Sequence, residues 1–147
     1  YGDYLKFLCK VLYEWDGKKD EDGRMLLQQF GTNKVRAIIP DYWVISVANQ
    51  LDLLEYLDEE PDFVFVPDCR FPNEIEWWEE NGFNQKSVRV IRPNHISKLT
   101  EEQLLHPSET SLDDYKNFDF VVYAEDLEEL DNVADRLAQE LIQKTIL

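Results

Sequence analysis

FVFVPDCRFPNEIEWW, residues 63–78, sets four apolar residues directly against an acid and an arginine. Phe63, Val64, Phe65 and Val66 show no polar alternation. That pattern predicts a strand over 63–67, buried on both faces as in a parallel sheet. Asp68 and Arg70 stand at its carboxyl end, and Pro72 closes the turn. A helix follows from about Asn73 to Asn81, with Gly82 as its stop. Ligands of open parallel sheets bind beyond the carboxyl ends of the strands. Asp68 and Arg70 are therefore either a local ion pair or the beginning of a site.

Working outward, Ser87–Arg92 predicts a second strand ended by Pro93, and Phe118–Tyr123 a third. An amphipathic helix is expected from Leu127 to about Ile146. Between the last two strands lies a polar connection, 93–117, with one short helix near Glu101–Leu105. Connections of that length tend to be lids or binding elements. Upstream, Tyr4, Leu5, Leu8, Leu12 and Trp15 give helical spacing over 3–15, with Asp3 as cap. A second helical stretch runs from Gly23 to about Ile39, interrupted at Gly31-Thr32-Asn33. A third starts at Asp41 and carries Tyr42 to Leu57, before the acidic turn 58–62. Three helices, then strand, helix, strand, long connection, strand and helix, predict an α/β fold around a parallel sheet.

The chain of 147 residues suits one domain, and 44% hydrophobic content argues against disorder. No run approaches eighteen apolar residues, so no membrane span is expected. Tyr1-Gly2-Asp3 has no initiator methionine, basic n-region or apolar h-region, which suggests a processed chain or a piece of a longer one. Cys9 and Cys69 form no disulfide framework or zinc pattern, and a reduced, cytoplasmic setting is the simplest expectation. Net charge is −16, from 31 acids and 15 bases. Such a surface repels duplex nucleic acid and anionic membrane, and much of it serves solubility. An anionic ligand would need a few local arginines, and there are six: Arg24, Arg36, Arg70, Arg89, Arg92 and Arg136.

Arg70 and Arg92, each just past a predicted strand, could share an anion beside the N-terminus of the helix at 73–81. Thr32 and Arg36 are four residues apart on one helix side; they too could face an anion, or Arg36 could be an ordinary solvated arginine. His95 and His106 match no metal spacing, and Pro107-Ser108-Glu109 reads as a helix start. Packing accounts for Trp15, Trp43, Trp77 and Trp78. No G-x-x-x-x-G-K-[ST], nucleophile elbow, G-x-G-x-x-G or HExxH occurs.

As an ordered set, several short segments resemble the deoxynucleoside monophosphate kinases of phages and bacteria. They are Trp15–Asp20, Gly23–Gln28, Gly31-Thr32 through Arg36, Pro40–Val44, Pro67–Glu74, Val88–Pro93 and His106–Thr110 with Asp119. The resemblance implies a P-loop kinase fold, adenylate-kinase-like, whose parallel sheet is flanked by helices, and phosphoryl transfer from ATP to a deoxynucleoside monophosphate. On that reading Asp68, Arg70 and Arg92 are catalytic, with Asp68 helping to position Mg2+. Thr32, Arg36, Arg70, Glu74, His106 and Glu109 would bind the substrate. The helix 41–58 would lie on the acceptor side, and 93–117 would act as a lid. A homodimer is compatible with it. The resemblance starts after the family's first strand and its phosphate-binding loop, so an upstream segment is expected in the complete protein, and residues 1–147 alone are expected to be inactive. Two other readings stay open: a phosphomevalonate-kinase-like enzyme, which shares a strand-Asp-x-Arg turn, and an inactive kinase-like acidic interaction protein.

Overall fold

The computed structural model describes residues 1–145 and is a mixed α/β protein with a small parallel sheet. The helix end near Ile146 lies outside the described residues. The chain forms two compact units, residues 1–84 with 99–115, and residues 85–98 with 116–147.

The first unit is helical. It contains α1 (Gly2–Tyr13), α2 (Glu21–Gln28), α3 (Tyr42–Tyr56), α4 (Asn73–Glu80), α5 (Glu101–Leu104) and α6 (Pro107–Thr110). The predicted interruption at Gly31-Thr32-Asn33 is a change of helical register: α2 runs straight into a π-helical segment, Gln29–Arg36. Its core lies between α3 and α4. Val44, Val47, Ala48 and Leu51 recur at three- and four-residue spacing on α3 and meet Trp77, Trp78 and Tyr1. Polar ends of the aromatics are satisfied as they are buried. The Trp78 indole donates to the Tyr1 hydroxyl (2.9 Å), and the Trp43 indole donates to the Gly31 carbonyl (3.1 Å).

Asp3, expected as a cap, and Asp41, which does stand at the N-cap of α3, both turn their side chains to other partners. Asp3 lies inside the first turn of α1 and pairs with Lys6 (2.6 Å). The amide of Gly2, at the start of α1, is instead received by the Asp68 carboxylate, far away in sequence. Asp41 precedes α3 but makes no capping bond there, accepting from the Asn73 side-chain amide at 2.6 Å. Trp15 lies beyond α1 rather than on its stripe, and its indole donates to the Lys18 carbonyl (3.0 Å). Gly23 makes that loop feasible, because a Cβ there would overlap the Lys18 carbonyl oxygen.

The second unit contains β1 (Val88–Ile91), β2 (Phe120–Tyr123) and α7 (Leu127–Thr145). The strands pair in parallel, Val88 opposite Phe120 and Ile91 opposite Tyr123. Asp119 clips their entry ends together. Its carboxylate receives the Ser87 amide (2.8 Å) and hydroxyl (2.9 Å) and pairs with Lys86 (3.1 Å). Burial opposes ionisation, but these donors and the lysine hold the carboxyl below its ordinary range. Leu130, Val133, Leu137 and Leu141 form the half-buried stripe of α7. No helix among the described residues is long and apolar enough to cross a membrane.

The strand predicted at 63–67 does not form. Residues 63–66 adopt no ladder, and Phe63, Val64 and Phe65 are 53%, 47% and 84% exposed. An apolar run becomes a buried strand only when a neighbouring strand takes its backbone N–H and C=O groups. Among the described residues the one ladder is β1 with β2, so the sheet has two strands rather than three. Phe65→Ala should therefore change the unfolding free energy by no more than about 0.5 kcal/mol. Loss of about 3–5 kcal/mol in urea titration, the range for a buried phenylalanine, would contradict the exposed segment.

Candidate functional site

A cleft of about 240 Å³ opens in the first unit. Five cations line it: Lys6, Lys19, Arg24, Arg36 and Arg70. Three carboxylates do as well: Asp68, Glu74 and Glu109. The cleft thus carries an excess of positive charge within a chain of net charge −16. Concave walls of low dielectric concentrate such a field.

Arg36 leaves the π-helical segment and is 9% exposed. Its Nη1 donates to the Pro40 carbonyl (2.8 Å) and the Asn73 side-chain oxygen (3.0 Å), and its Nη2 donates to the Glu74 carboxylate. The guanidinium stacks 3.9 Å from the centre of the Phe71 ring. Only Nε has no partner, and it is buried. Glu74, on the first turn of α4 and 4% exposed, also receives the backbone amides of Arg70 (2.6 Å) and Phe71 (3.2 Å). Burial pushes its carboxyl above the ordinary range, against the pull of the Arg70 amide and the Arg36 guanidinium. One ion pair therefore holds the turn 68–72 against the segment 29–36.

Arg70 differs. Its side chain is 52% exposed and pairs with Glu109 of α6 at 3.0 Å. An exposed pair of this kind contributes only about 0–1 kcal/mol, so an incoming anion can replace Glu109 cheaply. Breaking the Arg36–Glu74 pair would leave a buried charge, at roughly 3–5 kcal/mol. Arg70 can exchange its partner, and Arg36 is fixed.

Asp68 lines the cleft, but its oxygens receive the Gly2 amide and the Tyr1 α-ammonium (3.2 Å). No group of three or more His, Cys, Asp or Glu among the described residues could hold a metal ion. Burial pushes the neighbouring Cys69 thiol up to about 12, so it is no thiolate nucleophile at neutral pH.

Of the residues marked in the sequence, Thr32, Arg36, Asp68, Arg70, Glu74 and Glu109 line this one cleft. His106 is a cap next to it: its Nδ1 receives the Ser108 amide (3.2 Å) at the start of α6. That bond puts the ring proton on Nε2, which is buried without a partner. Arg92 follows β1 in the second unit, where its carbonyl accepts from the His95 amide at 3.1 Å. Glu125 and Asp126, beyond β2, close the first turn of α7: the Glu125 amide donates to Glu129 (2.8 Å), and the Glu129 amide donates to Asp126 (2.9 Å). The connection 93–117 is divided, with Leu99–Tyr115 in the first unit and Leu99, Ser108 and Glu109 on the cleft. Sequence reasoning counted Arg24 among the arginines open to an anion but gave it, Lys6 and Lys19 no specific place. The available signal was that basic residues are scarce in an acidic chain.

Fold and site together describe a mixed α/β protein with a cation-rich cleft. Comparison with protein-family models, curated proteins and solved structures finds no match.

Two outcomes test the site's frame. Glu74→Ala should lower stability by about 3–5 kcal/mol in urea unfolding, because Arg36 would be left buried and unpaired. A change under about 1 kcal/mol would refute the structural role of the pair. The second concerns His106, whose pKa burial lowers, against the opposing charge of Glu109. Below about pH 6.5 the unfolded chain binds this proton more readily than the folded one. The contribution of His106 is therefore complete above that pH and is lost as pH falls through the depressed folded value. Melting temperature should fall on acidification with a slope that His106→Asn reduces, since asparagine also caps a helix but does not titrate. An unchanged slope in that variant would remove His106 from the account.

Proposed function

We propose that this cleft is the acceptor-phosphate site of a deoxynucleoside monophosphate kinase of the P-loop kinase type. The observation that carries the reading is the convergence of five cations, from four separate stretches of a strongly acidic chain, on one small cleft. The ordered resemblance of segments 15–44, 67–74, 88–93 and 106–110 to that family points to the same phosphate chemistry.

In this reading Arg70 releases Glu109 and takes phosphate oxygens on its planar fork, which binds two oxygens at once and stays charged at any working pH. Arg36 and Glu74 hold the turn that presents Arg70, and Thr32 offers a hydroxyl on the same wall. The stretch Leu99–Tyr115 bears Ser108 and Glu109 at the rim, and its displacement accompanies entry of the acceptor. Phosphoryl transfer asks a protein chiefly for positioning and charge stabilisation, so a site of arginines without an activated nucleophile suits it. ATP, as donor, would supply the phosphoryl group. The residues of this cleft orient the acceptor and offset its charge.

The test has two parts. Residues 1–147 should bind deoxynucleoside monophosphates in calorimetry, with affinity falling as salt rises. The full-length protein should form ADP from ATP with at least one of the four common deoxynucleoside monophosphates, and Arg70→Ala should lower kcat/KM roughly hundredfold. Failure to bind or turn over any of the four would sink the proposal and leave an acidic interaction protein as the better reading.

A further inference from the structure

Given the reading of the cleft as a monophosphate site, we infer that Lys19 and Arg24 are the pair that captures the phosphate first, with Arg36 a positioning residue beside them. The five cations of the cleft are not equally available. Lys6 is paired with Asp3, Arg36 with Glu74 and Arg70 with Glu109. Lys19 and Arg24 line the same cleft and make no ion pair among the described residues.

The Arg24 side chain is held by the backbone, and Lys19 is carried on a fixed loop. The Arg24 Nε donates to the carbonyl of Lys19 (3.1 Å), which ties one residue of the pair to the other and leaves the two Nη groups for a ligand. The loop on either side of Lys19 is fixed as well. The Lys18 amide donates to Asp16 (2.9 Å), the Trp15 indole to the Lys18 carbonyl (3.0 Å), and the Gly23 amide to Asp20 (3.0 Å). Gly23 lets the loop lie against α2, since any larger residue would collide with the Lys18 carbonyl. A cation on a fixed loop and a guanidinium oriented by that loop lose little freedom when an anion arrives, which favours binding. The ligand class is a phosphomonoester dianion. Lys19 supplies a point charge and Arg24 a two-pronged fork. Arg70 joins once Glu109 is displaced, whereas Arg36 keeps its buried partners throughout.

Lys18 provides an internal control. It is adjacent to Lys19 and carries the same charge, but it pairs with Asp16 (2.9 Å) and does not line the cleft. The experiment is calorimetric titration of the parent protein, Lys19→Gln, Arg24→Gln, Arg24→Lys and Lys18→Gln at one fixed ionic strength. The probes are inorganic phosphate and each of the four deoxynucleoside monophosphates, and thermal melts verify that each variant is folded. Lys19→Gln and Arg24→Gln should each weaken binding roughly tenfold or more. Arg24→Lys should fall between parent and Arg24→Gln, because it keeps the charge and loses the fork. Lys18→Gln should stay within about twofold of the parent. If the parent binds while Lys19→Gln and Arg24→Gln bind equally well, the capture pair is overturned and the acceptor-site reading stands. Equal weakening by Lys18→Gln would overturn it too, because diffuse charge would then be responsible. A parent that binds none of the probes overturns both. Should Arg24→Gln fail to fold, Lys19→Gln decides alone, since its side chain is exposed on the loop.

Discussion

The buried pair of Arg36 and Glu74 is the constraint on which the rest of the first unit depends. Neither charge could stay folded away from water alone, and each has further donors or acceptors that complete it. Through them a π-helical segment, the turn at Pro40-Asp41, the start of α4 and the turn 68–72 are brought into one frame. Phe71 stacks on the guanidinium, and the Tyr1 hydroxyl donates to the Glu74 carbonyl at 3.2 Å. The π-helical register is part of the same arrangement, because departures from α-helical register often accompany functional positions. Here the segment brings Gly31, Thr32 and Arg36 to a single cleft.

Around that fixed pair, the remaining charges differ in how readily they can change partners. Arg70 is held weakly by a rim carboxylate, and Lys19 and Arg24 make no ion pair among the described residues. A site that must take and release an anion needs both kinds of group: a frame that does not move and cations that can. The acid-rich exterior makes the contrast sharper, since a small ligand of negative charge meets favourable potential only where the cations converge.

Local features were the most legible in the sequence. Helices α1, α3, α4 and α7 and the pair β1 and β2 follow from apolar spacing and from stops such as Gly82, which has a positive φ of 84°. Thr32, Arg36, Asp68 and Arg70 could be marked because each sits at an element boundary or on a patterned face, Glu74 and Glu109 only through the family resemblance, and all six line the cleft. Phe63–Val66 shows where such reading fails. Its composition states that it is apolar and extended, but whether it is buried depends on a partner that composition does not contain. Asp3 and Asp68 exchange roles for the same reason: the best acceptor for an amide at a helix start can come from anywhere in the chain.

By itself, then, the sequence determined the type and rough extent of most elements, the α/β class and the scarcity of cations that makes their location informative. These are short-range consequences of side-chain size, periodicity and charge. Only the tertiary structure decided which arginine is fixed and which is free, because that depends on which carboxylates lie within hydrogen-bond reach and how much water remains around them. Arg36 and Arg70 look alike in sequence, each a basic residue near a turn. Burial beside Glu74 makes one of them scaffold, and exposure beside Glu109 leaves the other able to change its partner.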